Sequence, residues 1–181
     1  VSAGGFGGRK GDKETFYSYS GFTTPGTQYR LNVESGEATF HRQSKVPLDA
    51  TQFEAHQYFY RAKDGMAIPV FVLHKKGLKL DGTNPTILYG YGAYGVTENP
   101  YFSPRIHAWL ARGGIYAIAH VRGGGVLGDA WRRAGWKSTK PNTWKDGIAV
   151  AEWLIAMALA ERRLRSDRND RSDRSDRRLP S

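Results

Sequence analysis

The 181-residue chain contains no cysteine. Disulfide frameworks and cysteine-ligated zinc sites are thereby excluded, and the sequence carries no mark of a redox compartment. Long apolar runs are missing as well. None approaches the roughly 18 residues that a membrane helix requires, so no membrane partner is expected. The opening Val-Ser-Ala-Gly-Gly-Phe-Gly-Gly has neither a starting Met nor the apolar stretch of a signal peptide, and Val1 is expected not to be a native first residue. What is present is enough apolar and aromatic material for a packed core. Hydrophobic residues make up 39% and aromatics 13%, with 5 Trp and 10 Tyr, which is too aromatic for a disordered chain.

Basic residues outnumber acidic ones, 27 to 17, for a net charge of +10. Such an excess raises a nucleic-acid reading only if the charge gathers on one folded face. Residues 161–181 hold eight Arg and five acidic residues, with Arg-Ser-Asp triplets repeating from Arg165 and no aromatic among them. Each triplet's Asp offsets its Arg and weakens phosphate attraction, and the segment has nothing to bury. It reads as a disordered tail, and no nucleic-acid partner is expected.

The body changes texture along its length. Residues 1–13 are Gly-rich and read as a loop. Thr15–Ser20, Gln28–Val33 and Ala38–Arg42 then alternate like strands, separated by Pro25-Gly26 and Glu34-Ser35-Gly36, which makes an antiparallel meander. Three short strands need a second layer to cover their apolar face. Beyond Pro47, the runs 57–60 and 67–73 form a hairpin turned at Lys63-Asp64-Gly65. From Pro85 the pattern is α/β. Thr86–Tyr89 and Ile115–Val121 are nearly continuous apolar runs, the mark of strands buried on both faces. Between them Ser103 caps a helix with Pro104 in its first position, Ile106, Trp109 and Leu110 as its stripe, and Gly113-Gly114 as its end. A second helix opens at Thr143, with Asp146 as a cap and Trp144, Ile148, Ala151, Ile155 and Ala158 on its apolar face. A further strand should follow that helix, so 115–121 is expected to keep an unpaired edge.

Two stretches match G-x-G-x-x-G: Gly90-Tyr-Gly92-Ala-Tyr-Gly95 and Gly123-Gly-Gly125-Val-Leu-Gly128. Dinucleotide binding also needs an immediate helix and an acid at the end of the next strand. Neither match has both. The loops nevertheless lie where an open α/β sheet places its ligand, at the carboxyl ends of its strands.

The wording of these blocks carries a resemblance. Asp64-Gly65 with Ile68-Pro-Val-Phe, Leu80-Asp-Gly-Thr-Asn-Pro, Leu88-Tyr-Gly-Tyr-Gly92, Val121-Arg-Gly-Gly-Gly125, Trp131, and Trp144-Lys-Asp146 with Ala151-Glu-Trp-Leu154 resemble, in order and spacing, the first half of the peptidase domain of prolyl oligopeptidase family serine peptidases. Glu14-Thr-Phe-Tyr with Thr24-Pro25 and Tyr29 resembles the last blade of the β-propeller that precedes it. The fold this implies is α/β: an incomplete α/β-hydrolase domain over residues 51–160, preceded over 1–50 by an antiparallel β-meander that is a last-blade remnant, and followed by the tail at 161–181.

The activity implied is endopeptidase cleavage of short peptides on the carboxyl side of proline through an acyl-enzyme. Short proline-containing peptides would be its partners, in a cytoplasmic setting with a periplasmic one as the alternative, and with no cofactor and no metal. The resemblance assigns the oxyanion donor to Tyr91 and the wall of the proline pocket to Tyr94, which follows Ala93 where the family usually has Phe after Gly-Gly. No G-x-S-x-G elbow occurs among the 181 residues, so the nucleophile is absent along with the Asp and His that follow it, and the chain is expected to be inactive alone. His41, His56, His74, His107 and His120 show no triad pattern and read as solvated or packed. A basic RNA-binding protein and a peptide-binding pseudoenzyme are the alternative readings.

Overall fold

The computed structural model describes the backbone of residues 1–174 and side chains through residue 157. Its strands form two four-stranded sheets. The first is antiparallel in chain order: β1 (Ser2–Gly5), β2 (Glu14–Gly21), β3 (Thr24–Asn32) and β4 (Ala38–Gln43). β1 falls in the stretch that its Gly content marks as a loop; glycine lowers strand propensity, but pairing of Ser2–Gly5 with Tyr17–Ser20 overrides it. The β2–β3 turn is at Phe22-Thr23 rather than Pro25-Gly26. Pro25 lies inside β3 where the register with β2 shifts, a position that tolerates a missing donor. The next turn is where sequence puts it, with the Asn32 side chain accepting from the backbone N–H groups of Glu34 and Ser35 and Gly36 at φ 72°.

The second sheet has the order β5-β6-β8-β7, from β5 (Phe53–Arg61), β6 (Ala67–Lys75), β7 (Thr86–Tyr89) and β8 (Ile115–Ala119). β5 and β6 form the hairpin, with Asp64-Gly65 in its turn. β8 runs antiparallel to β6 and parallel to β7. Alternation along β6 and β8 divides the core into two layers. Ile68, Val70, Val72, Ala117 and Ala119 face α3 (Pro141–Arg174), meeting Ala149 and Val150. Leu73 and Ile118 face α1 (Pro104–Ala111), meeting Leu110, and the short α2 (Asp129–Arg133) lies between α1 and α3 in the chain. The Ser103 hydroxyl accepts from the Ile106 N–H as an N-cap, with Pro104 at the first position. Phe22, from the β2–β3 turn, enters the second layer and touches Phe71 at 5.0 Å, so the first sheet is anchored on the second.

Three expectations need correction. β8 is interior; the sheet's edges are β5 and, on the β8 side, β7, whose Ile87 and Tyr89 are exposed. An apolar run alone does not distinguish an inner strand from an edge strand whose neighbour is missing. Helix α3 starts at Pro141, after a 3-10 turn over Lys137–Thr139, and buries the face opposite to the one its apolar periodicity suggests. Thr143, Asp146, Ala149 and Val150 point inward, whereas Trp144, Ile148 and Ile155 are exposed. The inner face is chosen by a charged partner, described below. Finally, the helical backbone continues to Arg174 through triplets that composition marks as disordered. Residues 175–181 of the predicted tail lie outside the described residues.

The two faces of α3 are experimentally separable. Val150 is 0% exposed and Ile148 58%. Val150→Ala is expected to cost about 2–3 kcal/mol in urea denaturation, from lost burial plus a cavity, and Ile148→Ala less than about 0.5 kcal/mol. Equal costs would contradict this orientation.

Candidate active site

A charge network stands at the centre of the α/β part. Arg122 follows β8 and is only 4% exposed. Its Nε lies 2.9 Å from Asp146 Oδ2 and its Nη2 2.6 Å from Oδ1, a two-pronged contact. The Arg122 backbone N–H also donates to Asp146 Oδ2 at 3.0 Å, and Nη1 donates to Asp64 Oδ2 at 2.6 Å. Asp146 is therefore a fully buried counter-ion and not a helix cap, as its spacing from Thr143 suggests. Thr143 is likewise engaged elsewhere: its hydroxyl donates to the Arg122 carbonyl at 2.7 Å. The Tyr60 hydroxyl donates to the Asp146 carbonyl at 2.6 Å. Hairpin turn, strand end and helix are thus joined by one guanidinium.

The ionisation states follow from these contacts. Its hydrogen bonds to Asp146 outweigh the opposing effect of burial and leave the Arg122 guanidinium more firmly protonated than usual. Its hydrogen bond to Asp64 holds that carboxyl below the ordinary carboxylate range. Burial, reinforced by the Asp146 charge, raises the Tyr60 phenol and keeps it a donor.

The two glycine-rich loops flank this network and interlock. Gly95 N–H donates to Gly123 O at 3.1 Å, and Gly125 N–H donates to Val96 O at 3.0 Å. A Cβ on Gly123, which has φ 100°, would collide with the Gly92 carbonyl oxygen, and one on Gly125 with that of Gly95. The glycines thus permit loop-to-loop contact and form no phosphate cradle. Lys140 Nζ donates to Gly92 O at 2.6 Å and ties the clasp to the start of α3.

Tyr91 projects from this clasp just beyond the open edge strand. It is 44% exposed, and its hydroxyl has no hydrogen-bond partner among the described residues. It borders a small pocket with Glu98 and His120, and an open cavity of about 400 Å³ shared with Leu88, Trp144, Ile148 and Ala151. Tyr94 is 90% exposed at φ 54° and lines neither space. The structure therefore does not bring Tyr91 and Tyr94 together on one wall.

His107 and His120 are packed. His107 Nδ1 lies 2.9 Å from Ser103 O, which places its proton there, and the ring stacks on Phe102 at 4.3 Å. His120 stands edge-on to Phe71 at 5.5 Å. Nε2 of each is buried without a partner among the described residues, and burial pushes both imidazoles down from the ordinary histidine value.

Comparison with known proteins agrees with this architecture. Residues 100–164 match the model of the prolyl oligopeptidase family. A prolyl endopeptidase of Elizabethkingia miricola is 42% identical over 153 residues, which are 84% of this chain and 22% of that protein. The dual function macrocyclase-peptidase POPB of Galerina marginata is 39% identical over 160 residues, 86% of this chain and 22% of its own length. A solved prolyl endopeptidase superposes with a TM-score of 0.82 at 39% identity, over 87% of this chain and 23% of its own. The chain belongs to the prolyl oligopeptidase family. It spans about a fifth of the length of these relatives. Galerina marginata prolyl oligopeptidase B bound to a 35mer hydrolysis and macrocyclization substrate also superposes, with a TM-score of 0.80 at 39% identity, covering 86% of this chain and 22% of that one.

Within this prolyl oligopeptidase segment, the residues that sequence reading passed over are Asp64, Arg122 and the true role of Asp146. The available signal was a single arginine directly after an otherwise apolar strand, Ile115–Val121. A charge in that place must be paired if it is buried.

Two measurements follow. Asp146→Ala should destabilise the chain by about 3–5 kcal/mol because it strands a buried guanidinium, whereas Arg122→Met with Asp146→Leu should cost less than the two single changes together. Strict additivity in a urea-based double-mutant cycle would oppose this. For pH, the depressed His107 and His120 bind protons in the unfolded chain before they do in the folded one. Stability should be flat between about pH 7 and 9 and fall as pH drops through about 6.5, with Asp64 adding a separate loss below about pH 4 and the raised Tyr60 a loss above about pH 10. A melting temperature that stays constant from pH 7 to 5.5 would exclude the histidine contribution.

Proposed function

We propose that this chain supplies the oxyanion-side part of a serine endopeptidase that cuts short peptides on the carboxyl side of proline through an acyl-enzyme. It is the front portion of an α/β-hydrolase peptidase domain, with the Ser2–Gln43 sheet as the last blade of a propeller. The observation that carries this reading is the unpartnered hydroxyl of Tyr91, held at the carboxyl end of β7 by the Gly92–Gly123 clasp.

Acyl transfer develops negative charge on the carbonyl oxygen, and a donor fixed in advance, about 2.7–3.1 Å from that oxygen, stabilises it without reorganisation. Tyr91 has the freedom to donate because nothing among the described residues consumes its proton, and it has the rigidity because its neighbouring backbone cannot shift without breaking the clasp. Tyr94 is assigned to the proline pocket by the family resemblance, and its present exposure means that a further wall is needed to make a pocket of it. The Galerina marginata prolyl oligopeptidase B bound to a 35mer hydrolysis and macrocyclization substrate supports a peptide as the ligand class. No G-x-S-x-G elbow occurs among the 181 residues, so this reading gives none of them the role of the serine nucleophile.

The test has two arms. The 181-residue chain should hydrolyse a chromogenic prolyl peptide no faster than buffer; turnover that disappears with Tyr91→Phe would overturn the claim that the nucleophile lies elsewhere. In an active peptidase that carries this segment, Tyr91→Phe should lower kcat by about 10²–10³ with little change in KM. An unchanged kcat would remove Tyr91 from the oxyanion role.

A further inference from the structure

At the end of the β5–β6 hairpin opposite its turn, three ligating side chains meet. Glu54 and His56 are two residues apart on β5 and therefore project from the same face, and His74 on β6 is the register partner of Glu54. The carboxylate lies between the imidazoles: Oε2 is 3.3 Å from His56 Nε2, and Oε1 is 3.5 Å from His74 Nδ1. The two rings stack at 5.5 Å with their planes 22° apart. One donor atom from each residue lies within 4.8 Å of the other two.

We propose that Glu54, His56 and His74 bind a divalent transition-metal ion of the zinc class. Two imidazole nitrogens and one carboxylate oxygen are a donor set suited to Zn²⁺, whereas Ca²⁺ and Mg²⁺ take oxygen ligands. Ligand distances of about 2.0–2.1 Å around a tetrahedral Zn²⁺ put neighbouring donors about 3.3–3.4 Å apart. The Glu54–His56 separation already has that length, and the remaining ones close by side-chain rotation. His74 Nδ1 also lies 3.0 Å from the Lys75 carbonyl. This is the same nitrogen that lies 3.5 Å from Glu54, so binding the metal through it requires the ring to give up the carbonyl contact.

The scaffold favours the site. His74 is buried beside Leu73, and the strand ladder from Phe53–Lys75 to Arg61–Ala67 fixes the three Cα positions. Glu54 is half-buried and His56 exposed, so a fourth position stays open to water. The neighbouring cations Lys75 and Lys76 follow in sequence, and the single carboxylate leaves the loaded site with a net positive charge. The site is remote from Tyr91 and does not depend on the peptidase reading.

The test uses the 181-residue chain and Zn²⁺ itself, by isothermal titration calorimetry, with Co²⁺ as a spectroscopic probe. A single saturable Zn²⁺ site is expected, and Co²⁺ should give the intense visible absorption of a four-coordinate N/O site. Glu54→Gln and His56→Ala, both at accessible positions, should each weaken Zn²⁺ binding by about tenfold or more. His41→Ala, on the other sheet, should leave it unchanged. Absence of saturable uptake, or uptake that survives both Glu54→Gln and His56→Ala, would overturn the proposal and leave a histidine–carboxylate hydrogen-bond group only.

Discussion

The buried Arg122 guanidinium is the constraint on which the α/β part depends. It cannot remain in the core without carboxylates, and those carboxylates come from two distant segments: Asp146 on α3 and Asp64 in the hairpin turn. Their arrival fixes the rotation of α3, because a helix that must present Asp146 inward also presents Thr143, Ala149 and Val150. A buried ion pair of this kind adds little net stability, since desolvation offsets most of the attraction. Its value lies in selecting one arrangement: any other rotation of α3 would leave a charge unpaired.

From that anchor the loops take their positions. Arg122 is followed by Gly123-Gly124-Gly125, which lies against Gly92 and Gly95 at a distance that a Cβ would not allow. The clasp holds the backbone on both sides of Tyr91, while the side chain itself extends into open space. Such a combination of rigid main chain and unsatisfied hydroxyl suits a donor that must be in place before charge develops. The exposed Trp144 and Ile148 line the same cavity as Leu88 and Tyr89 of β7, so the apolar surface next to Tyr91 is continuous with the unpaired strand.

The sequence was most informative where a signal and its effect lie within a few residues. Ser103 and Pro104 mark the start of α1 because capping acts over one helical turn, and Asp64-Gly65 marks the hairpin because the turn needs Gly65 at positive φ. The ordered blocks around Leu88–Gly92 and Val121–Gly125 pointed to the family that the relatives and solved structures then showed. The same reading failed for Asp146 and for the inner face of α3. Trp144, Ile148 and Ile155 are more hydrophobic than Thr143 and Asp146, so periodicity alone selects the wrong stripe.

By itself, then, the sequence determined the hairpin, the first helix, most of the meander and the family, since these rest on local backbone preference and on the linear order of short blocks. The tertiary structure alone decided which strand is the edge, which face of α3 is buried, and what the glycines are for. The physical reason is distance along the chain. Arg122 and Asp146 are 24 residues apart, and Asp64 is 58 from Arg122. A charge that needs a partner shows in the sequence, but which partner reaches it depends on how the strands and helix pack.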